Sequence, residues 1–290
     1  MELRGRNALV TGAAGGLGGY ICSALAAEGA NLVLSDLPEV PLDDRVAELR
    51  SQGVKAEAVE ADIADRDQAL GLVGRSEEAL GPLDVLVNNA GLEFAGPFLE
   101  RSADEIEGLT RVNLVATMLI TQSALGGMLE RRRGHVVNIA SMAGKAPFPF
   151  LATYCASKHG VIGFTGALRA EYASEPVGFS AICPGFVSKV GMYGRLEKTV
   201  GSPPTGPLSV VPPEKVGEAV IKAVRDGRAE VIVNRAGARP LILLSALAPG
   251  FSAKLARGGR IREFADRFSA AKESSPRSAA EDRAAGKPRD

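Results

Sequence analysis

The stretch that decides the fold is NALVTGAAGGLG, residues 7–18, near the start of the chain. Residues 7–10 form a short apolar run that predicts a buried strand, and four glycines follow within residues 12–18. Apolar residues then recur at helical spacing through Ile21 and Leu25. A strand, a turn that only glycine can make and a helix whose first amides point at an anion together suit a pyrophosphate. Taken alone, the turn fits an ordinary tight turn as well as it fits a dinucleotide site.

The second predicted strand ends in a carboxylate. Residues 31–35 are largely apolar and Asp36 follows them. An acid at this place accepts hydrogen bonds from both ribose hydroxyls of an adenosine and repels a 2′-phosphate, so it favours NAD over NADP. Ala13, Ala14 and Leu37 agree, because none of them supplies the cation that a 2′-phosphate needs. The alternative is a solvated acid at a strand end.

Strand and helix patterns alternate along the rest of the chain. Further strands are predicted over residues 54–60, 83–87, 135–140, 178–183 and 230–234, with helical patterns between them. This alternation predicts an α/β protein with a Rossmann-type, doubly wound, seven-stranded parallel sheet and helices on both faces.

Two chemically useful side chains share a face of the helix predicted over residues 150–172. Tyr154 and Lys158 are four residues apart, which places them one turn from each other. A neighbouring cation favours the phenolate, so we expect Lys158 to bring the pKa of the phenol down from about 10. Tyr154 is then a candidate proton donor or acceptor, with Ser141 beside it at the end of the preceding strand. A lone Tyr and Lys at this spacing are more often a surface pair.

Three other polar positions have two interpretations each. Asp62 either meets an adenine edge or caps the helix that begins near Asp65. Residues 88–91, Asn-Asn-Ala-Gly, either let the backbone approach a cofactor or tie strand ends together through their asparagines. Asn113 lies in a long helical stretch, residues 102–133, where bending or capping a helix is its more frequent role.

The composition is that of an ordinary globular chain. Lys plus Arg equals Asp plus Glu at 34 each in 290 residues, so no net charge favours nucleic acid. The cysteines, Cys22, Cys155 and Cys183, are odd in number and far apart, which fits reduced thiols better than a disulfide framework or a metal site. No signal-peptide pattern precedes the first strand, and we expect a cytoplasmic protein.

Composition also divides the chain into three parts. Residues 1–239 carry the strand and helix pattern, and within them the Gly- and Pro-rich segment 186–213 is expected to be a lid. Residues 240–270 are apolar and then basic, which suits a lid, a subunit contact or a short helix on a membrane surface. Residues 271–290, rich in Ser, Ala, Pro and charge, are predicted to be disordered.

Taken together, the motifs resemble the short-chain dehydrogenase/reductase family in its compact single-domain branch, over about residues 3–235. The matching positions are the glycine turn of residues 11–18, Asp62, Asn88, Asn89, Ala90, Gly91, Asn113, Ser141, Tyr154, Lys158, Pro184 and Gly185.

The resemblance implies an oxidoreductase that moves hydride between NAD(H) and a secondary alcohol or ketone. It implies that Tyr154 is the general acid/base and that Lys158 holds the nicotinamide ribose and lowers the pKa of Tyr154. It also implies that Ser141 hydrogen-bonds the substrate oxygen and that Asn113 holds a water for a proton relay. The cofactor contacts expected on this basis are Gly12, Ala14, Gly16, Leu17, Gly18, Asp36, Leu37, Asp62, Ile63, Asn89, Ala90, Gly91, Tyr154, Lys158, Pro184, Gly185 and Val187.

One position departs from the family pattern. Lys189 stands where the family often has a threonine that meets the nicotinamide amide. Either Ser188 substitutes for that threonine or the contact is absent. The resemblance further implies a homodimer or homotetramer built on the helices that carry Asn113 and Tyr154.

The substrate and the cofactor preference keep alternatives. Apolar residues near the expected pocket mouth suggest an apolar substrate, steroid-like or long-chain, although such residues serve packing at least as often: Phe94, Met142, Phe148, Phe150, Phe186, Met192 and Tyr193. One alternative is an NADPH-dependent 3-ketoacyl or polyketide-type reductase. Another, of a different class, is an NAD-sensing binding protein that performs no chemistry.

Overall fold

A parallel sheet forms the centre of the computed structural model, which describes residues 1–201, 210–234, 238–248, 250, 259–275 and 278–286. Its seven strands are arranged in the order β3-β2-β1-β4-β5-β6-β9. The strands of the structure, including a separate β7-β8 pair, are β1 (Asn7–Thr11), β2 (Asn31–Ser35), β3 (Ala56–Ala58), β4 (Val85–Asn88), β5 (Gly134–Ile139), β6 (Val177–Pro184), β7 (Phe186–Val187), β8 (Val210–Val211) and β9 (Glu230–Val233). The predicted α/β class, strand number and parallel arrangement are confirmed.

Helices cover both faces of the sheet, as a parallel sheet requires. Their bounds are α1 (Gly16–Ala27), α2 (Asp43–Ser51), α3 (Arg66–Leu80), α4 (Ala103–Thr110), α5 (Thr117–Glu130), α6 (Ala152–Glu171), α7 (Gly191–Val200), α8 (Glu214–Asp226), α9 (Ala238–Leu247), α10 (Gly259–Glu273) and α11 (Ala279–Ala284). One core lies under α1, α2 and α8, and a second lies under α3 and α5 on the opposite face, with α6 at its edge.

The order of the strands reverses at β1 and β4. Ligands of doubly wound sheets bind in the crevice outside the carboxyl ends of the strands at this reversal. Asp36 follows β2, the segment 89–91 follows β4, and Ser141 follows β5. The fold therefore gathers the predicted site residues at one edge of the sheet.

A π-helix, Arg111–Ala116, joins α4 to α5. The continuous stretch Ala103–Glu130 is long and apolar enough to cross a membrane by length and composition, but half of its most apolar window is buried within the fold. Its α5 part packs against α3, and its π-helical part packs against α6. We therefore interpret this stretch as a core helix of the α/β domain.

The segment predicted to be a lid is partly regular. β7 pairs in parallel with β8, and α7 lies between them along the chain. Residues 202–209 of the predicted lid lie outside the described residues.

The end of the chain differs from the disordered tail that its composition predicts. α10 continues to Glu273, and α11 begins at a capping box formed by Ser278 and Glu281. Lys272 pairs with Glu281 across the two helices at 2.6 Å, with side chains that are 11% and 4% exposed. The polar residues of this segment form hydrogen bonds and ion pairs with one another and with the rest of the protein. Composition does not reveal these contacts. Residues 276–277 and 287–290 lie outside the description.

Candidate active site

A cavity of about 990 Å³ runs along the carboxyl edge of the sheet. At one end it is lined by the glycine turn and Asp36, and at the other by Ser141 and Tyr154. Every position predicted above to contact the cofactor lines this cavity. The structure therefore brings these residues together, and their roles in binding remain predictions.

The glycine turn has the geometry that close approach of a ligand needs. Gly12 has φ +64°, and a Cβ there would lie 2.9 Å from the Cα of Ala90. A Cβ at Gly18 would lie 2.0 Å from the carbonyl oxygen of Gly12, so a side chain is excluded. Among the described residues, no side chain caps the start of α1. Its first amides and the helix dipole face the cavity, which fits a pyrophosphate.

Asp36 is fixed at the edge of the same turn. Its carboxylate oxygens accept hydrogen bonds from the backbone N–H of Ala14 at 2.9 Å and of Leu37 at 3.0 Å. Each carboxylate oxygen has a second lone pair, so the group keeps the capacity to accept from ribose hydroxyls. The residues present at this end of the cavity therefore fit the adenosine half of a nicotinamide dinucleotide.

The two asparagines at the end of β4, Asn88 and Asn89, join strand ends together. Asn88 donates its amide to Asn138 at 2.8 Å and to Thr121 at 3.1 Å, beneath the cavity. Asn89 donates its amide to the carbonyl of Thr11 at 2.9 Å and so holds the segment 89–91 beside the glycine turn. The interpretation that the asparagines join strand ends is confirmed, and the same bonds place the small residues of the motif on the cavity wall, while their approach to a cofactor stays a prediction.

Tyr154, Ser141 and Lys158 converge at the other end of the cavity. Ser141 lies beside the Tyr154 phenol, close enough for its hydroxyl to lower the pKa of that phenol. The Lys158 ammonium lies 5.7 Å from the centroid of the Tyr154 ring and donates to the carbonyl of Ile139 at 2.9 Å. Tyr154 and Lys158 are 6 % and 4 % exposed, so the surface-pair interpretation is excluded.

The charge state of this group differs from the sequence prediction. Burial raises the pKa of Tyr154 above its ordinary value, and the charge of the buried Glu93 raises it further, while the hydrogen bond from Ser141 opposes them. Burial also lowers the pKa of Lys158 to about 8, against the opposing charges of Cys183 and Glu93. The predicted net lowering of the pKa of Tyr154 is thus wrong, because desolvation of the phenol outweighs any effect of the Lys158 charge, which lies 5.7 Å from the ring centroid. Tyr154 is held as a neutral phenol, which is the form that donates a proton.

Asn113 lies close to Lys158, and its side chain hydrogen-bonds to other parts of the protein. Its side chain accepts from the N–H of Leu92 at 2.7 Å and donates to the carbonyl of Leu92 at 2.9 Å and to Ser157 at 3.2 Å. It lies on the π-helix and is absent from the cavity lining. Asn113 therefore fixes the segment after β4 against α6, and its predicted part in a proton relay stays a prediction.

Residue 189, where the family often has a threonine, does not line the cavity. The lining passes from Val187 to Val190. Lys189 has φ +63°, and its N–H donates to the carboxylate of Glu197, while Ser188 bonds to the backbone of β8. Neither side chain is placed on the cavity wall as a substitute for the threonine.

The wall near Tyr154 is largely aromatic and apolar. Of the predicted pocket residues, Met142, Phe148, Phe186 and Tyr193 line the cavity, whereas Phe94 and Phe150 do not. The side chain of Met192 lies outside the description. Phe268 completes the lining, and buried Phe264 packs edge-on against Phe186 at 5.1 Å behind it.

Sequence reasoning missed the residues that α10 adds to this wall. Apolar residues recur along α10 at helical spacing, Phe264, Ala265, Phe268 and Ala271, and that pattern was the available signal.

The chain is similar in sequence to known dehydrogenases and reductases. A family model described as short chain dehydrogenase matches residues 6–200. Ketoacyl reductase HetN of Nostoc sp. is 40% identical over 233 residues, which cover 80% of this chain and 80% of that protein. The 2-(S)-hydroxypropyl-CoM dehydrogenase 3 of Xanthobacter autotrophicus is 34% identical over 77% of this chain and 90% of its own length.

A solved structure is also similar. It is a blue fluorescent protein from a metagenomic library in complex with NADPH. It is 28% identical, with a TM-score of 0.71 over 80% of this chain and 98% of its own.

Proposed function

The chain belongs to the short-chain dehydrogenase/reductase family and is an NAD(P)-dependent oxidoreductase of alcohol or keto groups, and from that premise we propose its specific reaction. We propose that it moves hydride between NAD(H) and a secondary alcohol or ketone carried on an apolar skeleton, with Tyr154 as the general acid/base. The observation that carries the proposal is the buried Tyr154 phenol, which lines one end of the cavity together with Ser141 and Lys158, while the glycine turn and Asp36 line the other end.

When bound, the nicotinamide supplies or accepts the hydride. Tyr154 donates a proton to the substrate oxygen in reduction and takes it back in oxidation. Ser141 lies within hydrogen-bonding reach of the phenol, so a substrate oxygen placed between them is held by both hydroxyls. Lys158 supplies a positive charge below pH about 8, which stabilises the phenolate that forms as the proton leaves.

Supporting residues keep these groups in place. Lys158 is tethered to the carbonyl of Ile139, directly before the segment that carries Ser141. Asn113 ties Leu92 to α6 through Ser157, and a Cβ at Gly91 would lie 3.2 Å from Asn113 and 3.5 Å from Lys158. This close packing limits movement of the reacting groups, which is what positioning in catalysis requires.

The lining supports an apolar substrate. Phe148, Phe186 and Phe268 face the cavity, so polar groups of a substrate placed against these three rings would lose hydration without gaining partners. Buried Glu93 also lines the cavity, which suits a substrate that carries a hydroxyl or amine besides the reacting group.

The cofactor preference rests on Asp36. Asp36 lines the end of the cavity that we assign to adenosine, and a carboxylate there would repel the 2′-phosphate of NADP, so we propose NAD as the preferred cofactor. A second candidate is an NADPH-dependent ketoacyl reductase. It is favoured by the relative named ketoacyl reductase and by the similar structure solved in complex with NADPH.

The test measures the initial reaction rate for every combination of cofactor and substrate. NADH and NADPH are each combined with a long-chain 2-ketone, a steroid ketone, a short ketone and a 3-ketoacyl thioester, and the absorbance of the reduced nicotinamide is followed. We expect the highest kcat/KM with NADH and an apolar ketone. Turnover confined to NADPH and the thioester would establish the second candidate instead. Tight NADH binding without turnover of any substrate would favour a non-catalytic sensor.

The assembly is a separate proposal. We expect a homodimer or homotetramer built on the helical stretch Ala103–Glu130, which carries Asn113, and on α6, which carries Tyr154, as the family resemblance implies. Light scattering of the eluted protein measures its mass, and a mass near the 30.1 kDa of one chain would contradict the expectation.

A further inference from the structure

The end of the chain crosses the adenosine end of the cavity. We call residues 259–275 and 278–286, which include α10 and α11, the C-terminal strap. On α11, Arg283 pairs through Nη1 with Oδ2 of Asp62 at 2.9 Å and through Nη2 with the carboxylate of Glu39. The side chains of Arg283 and Asp62 are 19% and 22% exposed, so this contact is shielded from much of the solvent.

The acids that hold Arg283 lie beside Asp36. The N–H of Ala61 donates to the carbonyl of Asp36 at 2.8 Å, which sets Asp62 next to the end of β2. Asp36, Asp62 and Arg283 all line the cavity. The guanidinium therefore closes the edge of the cavity where adenosine is expected, and it offsets two of the carboxylates that an anionic dinucleotide would meet there.

Helix α11 packs closely against α4. A Cβ at Gly108 would lie 2.3 Å from the carbonyl oxygen of Ala284, so only glycine allows the contact. Asp104 and Gly286 meet at the same surface, and Ser278, Ala280 and Ala284 add to the cavity lining.

The strap also reaches the substrate end. Phe264 and Phe268 of α10 are fully buried among the aromatic residues near Tyr154. One segment thus contacts both ends of the cavity, and it lies beyond the residues that the family model matches.

We infer that the C-terminal strap forms part of the cofactor site and that Arg283 fastens it over the adenosine half of the dinucleotide. Arg283 acts here as a positioning residue, since it holds a wall in place through Asp62 and Glu39. The inference rests on the proposed function only in that a nicotinamide dinucleotide occupies the cavity.

The first test removes the fastening charge. Arg283→Gln is compared with the wild type and with Arg225→Gln, which breaks a similar long-range pair, Arg225 with Glu28 at 2.6 Å, away from the cavity. Calorimetry gives dissociation constants for NADH, NADPH, ADP-ribose and nicotinamide mononucleotide, and stopped-flow fluorescence gives the NADH dissociation rate.

Loss of an ion-pair network that joins one arginine to two acids should weaken dinucleotide binding by a factor of about 5–30. Arg283→Gln should therefore raise the dissociation constants of NADH, NADPH and ADP-ribose by about that factor and speed NADH release. Nicotinamide mononucleotide lacks adenosine, so its dissociation constant should stay the same. Arg225→Gln should match the wild type. Equal affinities in both variants overturn the inference. An effect on NADPH alone also overturns it, because Arg283 would then be a ligand of the 2′-phosphate.

A second variant disturbs the strap without touching a charge. Gly108→Ala forces α11 away from α4, whereas Gly71→Ala on α3 adds a Cβ that meets nothing within 4 Å. Gly108→Ala should weaken ADP-ribose binding and speed tryptic cleavage of the strap, and Gly71→Ala should do neither. Wild type that binds no dinucleotide would contradict the proposed function; unchanged binding in Gly108→Ala and Arg283→Gln would contradict only the role of the strap.

Discussion

Replacing Lys158 with methionine should make the protein more stable while removing its activity. Lys158 is 4 % exposed, and burial lowers its pKa from the ordinary 10.5 to about 8. Each pKa unit corresponds to about 1.4 kcal/mol, so holding this amine charged costs the folded state about 3 kcal/mol at neutral pH. Methionine occupies a similar volume and carries no charge.

One loss offsets part of this gain. The ammonium donates to the carbonyl of Ile139 at 2.9 Å, and leaving that buried oxygen without its donor costs about 1–2 kcal/mol. The net expectation for Lys158→Met is a free energy of unfolding about 1–2 kcal/mol higher than that of the wild type at pH 7.

The sign of the pH dependence follows from linkage. Below pH about 8 the amine is protonated in both the folded and the unfolded protein, so the full cost is present. Between about 8 and 10.5 the folded protein releases its proton first, so the wild type gains stability relative to the variant as pH rises. The advantage of Lys158→Met should therefore shrink across this window.

Urea unfolding followed by circular dichroism measures both effects, since the chain has no tryptophan to report by fluorescence. The wild type and Lys158→Met are compared at pH 7 and pH 9.5, and ketone reduction is assayed in parallel. A variant that is less stable than the wild type at pH 7, or a stability difference that does not change with pH, would refute the reasoning.

Three other predictions concern single residues. Burial lowers the pKa of His135 from the ordinary 6.5 to about 4, so the free energy of unfolding should fall by about 3 kcal/mol as the pH drops from 6.5 toward 4. In urea unfolding, His135→Gln should lose less stability than the wild type over the same pH range. Asp36→Asn should weaken NADH about tenfold and strengthen NADPH, as titration calorimetry can show; unchanged selectivity would remove Asp36 from cofactor choice. Gly18→Ala places a Cβ 2.0 Å from the carbonyl of Gly12 and should cost about 1–3 kcal/mol along with most NADH affinity, whereas Gly71→Ala should cost neither.

The sequence predicts well where the signal is local. The glycine turn, the carboxylate after β2 and the spacing of Tyr154 and Lys158 each depend on residues close together in the chain. Their placement then follows from the parallel sheet, because the carboxyl ends of its strands meet at one edge.

What the sequence did not reveal depends on distant contacts. The charge state of Tyr154 is set by burial and by Glu93, which lies sixty-one residues earlier, so a rule based on its neighbour Lys158 gave the wrong direction. The part of the C-terminal strap from residue 271 onward has the composition of a disordered tail, yet Arg283 pairs with Glu39 and Asp62, more than two hundred residues away.

The most direct test of the central claim is turnover by Tyr154→Phe, which removes the phenolic oxygen and keeps the ring. A ketone that the wild type reduces is assayed with NADH, and the NADH dissociation constant is measured on the same preparation. We expect kcat to fall by a factor on the order of 10²–10⁴ with NADH affinity within about twofold of the wild type, because the variant loses the proton donor alone. Reduction at a rate comparable with that of the wild type would contradict the role of Tyr154 as the general acid/base.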